Sequence, residues 1–114
     1  MDLIKKDIFS TSISDDETKT TMKNVYQKYK IILEPHGAVG WAGLEKFLSQ
    51  IKTPLFSISL ETAHPAKFPE ELKKVLNIEP ELPKSMKGLE DKKETFENIS
   101  SDYKDFKQFL KDKF

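Results

Sequence analysis

The sequence predicts an α/β fold, in which a few strands are flanked by helices and followed by a helical C-terminal tail. Apolar and polar residues alternate from Phe56 to Leu60, in a run bounded by Pro54, as they do on a strand with one buried face. A turn and a helix that opens at Pro69 follow, and this order of strand, turn and helix is typical of α/β proteins. Residues 15–29 have the apolar periodicity of an amphipathic helix.

Length, charge and cysteine content narrow the function classes. A chain of 114 residues forms one domain at most. Its 19 basic and 19 acidic residues cancel, so we expect no nucleic acid and no membrane as partner. The absence of Cys excludes disulfides and thiolate zinc sites and fits a cytoplasmic location. The start "MDLIKKDIFSTSIS" has no apolar signal region, and no later stretch is long and apolar enough for a membrane helix.

Helix signals are clear in three places. Ser14 precedes Glu17 in a capping box, which predicts a helix over residues 15–29. A second helix is predicted from about Gly37, where small residues occupy the first turns. These small residues admit either a neighbouring helix or a ligand at exposed N–H groups, and the neighbouring helix is favoured by about two to one. A third helix follows Pro69.

The rest of the chain is less regular. Weak strands are predicted at Asp7–Ser12 and Lys30–Glu34, and the segment "NIEPELPKSMKG" is expected to be an irregular connection. A final helical stretch is expected to carry Phe96 and the aromatic residues after it, with a break near Ile99 to Ser101. So few strands cannot form a complete parallel sheet, which predicts that the chain is part of a larger domain.

The residues whose side chains could catalyse a reaction or bind a ligand lie near two prolines. His36 and His64 each lie beside a proline in a turn, where structural hydrogen bonding is favoured over catalysis, and no motif supports a metal site. Lys67 has the setting of a chance surface lysine. Thr62 closes the predicted strand, where α/β sheets place ligand groups, although a hydroxyl here can equally cap the local turn.

Two strings carry a family resemblance. "EPHGAVGWAGLEKFL" and "LETAHPAKFPEEL", with the upstream "SDDETKTTMKNVYQKY", resemble the C-terminal portion of threonine synthases. These are pyridoxal 5'-phosphate (PLP) enzymes of fold type II, and the similarity is to their long form. The resemblance covers about Ser14 to Leu76, and the string from Thr62 to Phe68 is the most specific part of it.

The resemblance implies an activity for a complete chain. It implies a lyase of threonine biosynthesis that converts O-phospho-L-homoserine and water to L-threonine and phosphate. It also implies that Thr62 faces the pyridine nitrogen of PLP. The further residues implied to wall the pocket are Glu34, His36, Gly37, Ala38, His64 and Lys67.

The reactive parts of that site are not recognisable here. In this family a lysine of the N-terminal half forms the internal aldimine with PLP, so no catalytic residue is assigned in this chain. Residues 1–78 are expected to be the C-terminal part of the PLP-binding domain, and residues 79–114 a connection and helical tail. The expected partner is the remainder of the threonine synthase chain, and the isolated chain is expected to be inactive. The alternatives are a non-catalytic binding module and another fold-type II lyase.

Overall fold

The structure is a computed structural model that describes residues 4–114, with side chains described from Lys6 onward. Within this range the chain forms five α-helices and two short 3-10 turns. None of the described helices is both long and apolar enough to cross a bilayer. The helices are α1 (Ile4–Asp7), α2 (Asp15–Tyr29), α3 (Pro35–Leu48), α4 (Pro69–Leu76) and α5 (Tyr103–Lys113), and the 3-10 turns are Pro65–Lys67 and Lys84–Met86.

Helix α2 has the predicted bounds and the predicted start. The backbone N–H of Glu17 donates to the Ser14 hydroxyl, and the Glu17 carboxylate accepts from the Ser14 N–H at 2.8 Å, which completes the capping box. The helix ends at Lys30, whose left-handed φ of 59° lets its N–H bond the carbonyl of Tyr26. The capping box therefore fixes the start of α2, and the left-handed backbone of Lys30 marks its end.

Helix α3 begins two residues earlier than predicted. Glu34 is its N-cap and Pro35 its first residue, a position where the fixed φ of proline suits the helix. The helix packs against α2, and α2 also packs against α4. The three helices enclose a small core, and its fully buried members are Met22, Val25, Leu33, Ala38 and Leu72.

The predicted α/β fold is wrong, because the described residues contain helices and irregular segments but no strand. The segment Pro54–Leu60 has no regular secondary structure, and its alternating side chains Phe56, Ile58 and Leu60 are 95%, 73% and 75% exposed. A strand requires hydrogen bonds to a neighbouring strand, and the described residues contain none. Alternation indicates how side chains would be distributed on a sheet, but it does not supply the partner.

The two weaker strand predictions are also wrong. Asp7 is the last residue of α1, and the residues after it are irregular, with the ring of Phe9 packed 5.4 Å from the ring of Phe47. Residues 30–34 are the link between α2 and α3, in which Leu33 is buried in the core. Their apolar residues pack against helices. In the sequence, a short apolar run of this kind looks the same as a short buried strand.

The chain divides into two compact units, the first ending at Pro83 and the second comprising Lys84–Phe114. In the second unit, α5 begins at Tyr103 because the Asp102 carboxylate accepts from the N–H of Lys104 at 2.8 Å. The expected final helix is confirmed from Tyr103 onward, after the expected break near Ile99 to Ser101, but its part around Phe96 is irregular. An ion pair between Lys113 and Glu97 ties α5 to this irregular segment.

Candidate functional site

The N-terminus of α3 is held by a buried carboxylate. Glu34 is 0% exposed, and its two carboxylate oxygens accept from the backbone N–H groups of His36 at 2.8 Å and Gly37 at 2.9 Å. These N–H groups are among the four that a helix start leaves without an intrahelical partner. The negative charge also lies at the positive end of the helix dipole. Glu34 is therefore a structural cap.

His36 is linked to the same carboxylate. Its ring Nδ1 lies 2.7 Å from Oε2 of Glu34, and the ring centroid lies 5.3 Å from that of Phe68, which precedes α4. The His36 side chain is nevertheless 63% exposed. One ring nitrogen is thus fixed by Glu34 while much of the ring surface faces outward, so His36 is not a core residue.

A second carboxylate reaches the same helix end from far along the chain. Oε1 of Glu61 accepts a hydrogen bond from the backbone N–H of Glu34 at 3.1 Å, across 27 residues of sequence. Its carboxylate also lies over Gly37, where an added Cβ would come within 2.4 Å of the Glu61 Oε1. Gly37 therefore leaves the space that Glu61 occupies.

The two carboxyl groups have opposite pKa shifts. Burial acts to raise the pKa of Glu34, but hydrogen bonds from the His36 N–H, the His36 ring and the Gly37 N–H outweigh it, so the net shift is downward. Burial raises the pKa of Glu61, the hydrogen bond from the Glu34 N–H lowers it by less, and the nearby negative charge of Glu34 adds a smaller increase. The site therefore favours one firmly ionised carboxylate beside one that is easier to protonate.

The other candidate residues follow Glu61 directly. The Thr62 side chain is exposed, as is that of Lys67. Nδ1 of His64 accepts from the N–H of Ala66 at 3.1 Å and caps the 3-10 turn. His64 thus has the structural hydrogen bond that its place beside a proline predicts, and it performs the turn capping that was the alternative role for Thr62.

The small residues of α3 separate into two groups. Ala38 is 0% exposed in the core with Met22 of α2, which confirms the neighbouring-helix interpretation for this position. Gly37 and Gly40 instead adjoin the segment before Thr62, since a Cβ on Gly40 would lie 3.6 Å from the Ser59 hydroxyl. These two glycines therefore admit a segment of this same chain rather than a neighbouring helix or a ligand.

The structure brings Glu34, His36 and Gly37 together at one helix end, with Glu61 joining them from the segment that leads to Thr62. Glu61 is the site residue that sequence reasoning missed. The available signal was the glycine at Gly37, which predicted a close approach without identifying what approaches. Residues 4–114 contain no group of three or more His, Cys, Asp or Glu side chains arranged to hold a metal ion.

Comparison with known proteins identifies the class of protein. Residues 37–110 match the family described as "Threonine synthase, C-terminal". The threonine synthase of Buchnera aphidicola subsp. Schizaphis graminum is 33% identical over 108 residues, and that of Haemophilus influenzae is 39% identical over 80 residues. The structure superimposes on the PLP-bound threonine synthase from Brucella melitensis with a TM-score of 0.74 at 28% identity, covering 97% of this chain.

The chain therefore belongs to the threonine synthase C-terminal family, which confirms the resemblance. It spans only part of its relatives, namely 24% of the Buchnera protein, 18% of the Haemophilus protein and 23% of the Brucella chain. The matched portion includes the whole string from Thr62 to Phe68 and all of α4.

Proposed function

We propose that this chain is the C-terminal segment of a PLP-dependent threonine synthase of the long, fold-type II form. In the complete chain, the enzyme converts O-phospho-L-homoserine and water to L-threonine and phosphate, which makes it a carbon–oxygen lyase of threonine biosynthesis. The observation that carries the proposal is the similarity over 97% of this chain to a threonine synthase with PLP bound. The isolated segment is inactive, since it corresponds to about a quarter of such an enzyme.

Within that enzyme, Thr62 binds the cofactor. PLP, when bound, supplies the electron sink for the reaction. Thr62 is an exposed residue, and its hydroxyl donates to or accepts from the pyridine nitrogen; a neutral hydroxyl does not force that nitrogen to carry a proton. The chain contributes no catalytic residue, because the lysine that holds PLP belongs to the remainder of the enzyme.

The pocket wall is built around the start of α3. Glu34 fixes the backbone there and orients the His36 ring, and Gly37 and Ala38 keep the helix close to its neighbours. His64 and Lys67 border the pocket from the turn that follows Thr62. The wide groove between residues 6–11 and the Gly40–Phe47 part of α3 is lined by none of these residues, so it is a separate feature.

The partner of this segment is the remainder of the threonine synthase chain. Phe56, Ile58 and Leu60 alternate along an irregular segment and are largely exposed. Apolar side chains of this size are normally buried when a neighbouring strand or helix is available. Residues 1–78 belong with the cofactor-binding part of the enzyme and residues 79–114 form its tail. The enzyme is cytoplasmic and needs no nucleic acid or membrane.

The proposal is tested in the complete chain, meaning the threonine synthase polypeptide that contains this segment. Thr62→Ala should weaken PLP affinity about 2- to 13-fold, the equivalent of ~0.5–1.5 kcal/mol for one ordinary hydrogen bond. Thr62→Ser, which keeps the hydroxyl, should remain close to wild type, as should Thr20→Ala on the exposed face of α2. PLP affinity is measured by titration, and activity by phosphate release from O-phospho-L-homoserine.

Two results would contradict the proposal. One is a complete chain that binds PLP but releases no phosphate from O-phospho-L-homoserine, which would favour another fold-type II lyase. The other is an isolated segment that retains PLP after dialysis in a form that borohydride fixes covalently. That result would mean that a lysine of this chain, rather than one outside it, holds the cofactor.

A further inference from the structure

We propose that Glu61 is a positioning residue for Thr62, and this inference rests on the proposed role of Thr62 in binding PLP. The carboxylate of Glu61 anchors the residue next to Thr62 on the start of α3. The contact joins residues 27 positions apart, so it determines where the Thr62 backbone lies relative to the pocket wall. Glu61 itself has no assigned role in cofactor binding and acts only through its neighbour.

The anchor has the chemistry of a capping box whose two halves come from different segments. In α2, the glutamate at the third helical position accepts from the N–H of its own N-cap, Ser14, at 2.8 Å. In α3 the third helical position is Gly37, which has no side chain to do this. Oε1 of Glu61 accepts from the N–H of the N-cap Glu34 at 3.1 Å instead. Glu61 thus takes over the bond that a local glutamate would make.

The space for this carboxylate exists because residue 37 is glycine. A Cβ at Gly37 would lie 2.4 Å from Oε1, 2.6 Å from Oε2 and 2.6 Å from Cδ of Glu61. These distances are far below van der Waals contact, so alanine at position 37 and the Glu61 carboxylate exclude each other. The carboxylate is the mobile end of a long side chain, and alanine is the better helix former. Gly37→Ala should therefore displace Glu61 and leave α3 intact.

The chain is held by a hydrogen bond on each side of Thr62. The segment before Glu61 is irregular, with largely exposed Phe56, Ile58 and Leu60. After Thr62, the cap from His64 to the N–H of Ala66 fixes the turn. If the Glu61 bond is lost, the segment before Thr62 loses its hydrogen bond to the start of α3, and the Thr62 hydroxyl is then held over a wider range of positions. A hydrogen bond between Thr62 and PLP weakens under these conditions because ordering the segment costs entropy.

The test uses PLP titration of the complete chain with four variants. Glu61→Ala should weaken PLP affinity about 3- to 10-fold, because one anchoring hydrogen bond is lost. Glu61→Gln keeps an acceptor oxygen and should restore the affinity to within about twofold of wild type. Gly37→Ala should reproduce Glu61→Ala, and the double variant should be no weaker than either single variant, since both remove the same contact.

A control variant distinguishes the positioning effect of Glu61 from a general loss of protein stability. Ser14→Ala removes the capping box of α2, far from Thr62 in the sequence, and should lower the melting temperature without changing PLP affinity. The absorption spectrum of bound PLP is recorded for every variant. It should change in Glu61→Ala and Gly37→Ala but not in Ser14→Ala, because only the first two move the group at the pyridine nitrogen.

The outcomes distinguish this inference from the proposed function. If Thr62→Ala weakens PLP binding while Glu61→Ala leaves affinity and spectrum unchanged, the positioning role is overturned and the proposed function stands. If the weakening in Glu61→Ala and Gly37→Ala is additive in the double variant, the two residues act separately and the shared contact is overturned. If Thr62→Ala has no effect on PLP, the proposed function fails and the role of Glu61 fails with it.

Discussion

The side chain of Glu61 bonds the backbone N–H of Glu34 at 3.1 Å, although 27 residues separate them. Through this bond the segment that leads to Thr62 is attached to the buried cap of α3. Two acidic side chains meet at one helix start, where the N–H groups and the helix dipole favour negative charge. The two carboxyl groups have different surroundings, so measuring their pKa values tests the local geometry directly.

The first prediction concerns the ionisation of this pair. Carboxyl chemical shifts followed by NMR over an acid titration should give Glu34 a pKa below its ordinary value and Glu61 a pKa above it. Glu34→Gln removes the negative charge beside Glu61, so the pKa of Glu61 should fall. Glu79→Gln, on the exposed surface after α4, is the matched control and should leave Glu61 unchanged. Equal pKa values for Glu34 and Glu61 would refute the geometry.

The signs of these shifts predict opposite effects of pH on stability. The lowered pKa of Glu34 contributes stability that is present above the unfolded value of 4.5 and is lost as the pH falls through the folded pKa. The raised pKa of Glu61 works the other way, because ionisation above 4.5 disfavours the folded state. Chemical denaturation should therefore show that Glu61→Gln compares more favourably with wild type at pH 7 than at pH 3, because the substitution removes a carboxylate whose ionisation opposes folding. Glu34→Gln should cost more stability at pH 7 than at pH 3.

A second prediction concerns the start of α2. The ion pair with Lys46 at 2.8 Å, followed by the hydrogen bonds from Ser14, lowers the pKa of Glu17 from 4.5 to about 2. Lys46→Met should raise this pKa toward its ordinary value, as measured by NMR titration. Lys73→Met is the matched control, which should raise the pKa of Glu79 and leave Glu17 unchanged. A Glu17 pKa that does not respond to Lys46→Met would contradict the ion pair.

A third prediction tests the core between α2, α3 and α4. Leu72 is 0% exposed, so Leu72→Ala should lower the free energy of unfolding by ~2–5 kcal/mol, through lost burial and the cavity left behind. Leu55→Ala, at a side chain that is 54% exposed, should change it by less than about 0.5 kcal/mol. Urea denaturation of the isolated segment measures both variants. Similar effects of the two substitutions would mean that α4 is not packed as described.

A fourth prediction uses two exposed phenylalanines. Phe56 is 95% exposed and Phe114 is 94% exposed, so alanine at either position should barely affect the stability of the isolated segment. In the complete chain, Phe56→Ala should cost ~3–5 kcal/mol, because we propose that the remainder of the enzyme covers this side chain. Phe114→Ala is the matched control in the same experiment. Equal and small losses in the complete chain would contradict the proposed partner of the Pro54–Leu60 segment.

Sequence reasoning succeeded where structure is local. The capping box at Ser14 and the proline at Pro69 predicted the starts of α2 and α4, because each start depends on residues within one helical turn. It failed for Pro54–Leu60, since a strand depends on a partner that alternation cannot reveal. The final helix was predicted correctly from Tyr103 onward, but its expected part around Phe96 is irregular, because aromatic residues at helical spacing do not show which polar residue caps the helix.

The candidate site was predictable in part. The family resemblance in the string from Thr62 to Phe68 was confirmed by the family match, and the position of His64 beside a proline indicated a structural hydrogen bond. The contact between Glu61 and Gly37 could not be predicted, because it joins distant segments and depends on their three-dimensional approach. The assignment of Thr62 to the cofactor stays a prediction.

The most direct test of the central claim is an assay of threonine and phosphate formation from O-phospho-L-homoserine. The complete chain, the complete chain truncated before residue 1 of this segment, and the isolated segment are each assayed with added PLP. We expect equal amounts of threonine and phosphate from the complete chain and neither product from the other two. Turnover by the truncated chain, or no turnover by the complete chain, would contradict the claim that this segment is an essential part of a threonine synthase.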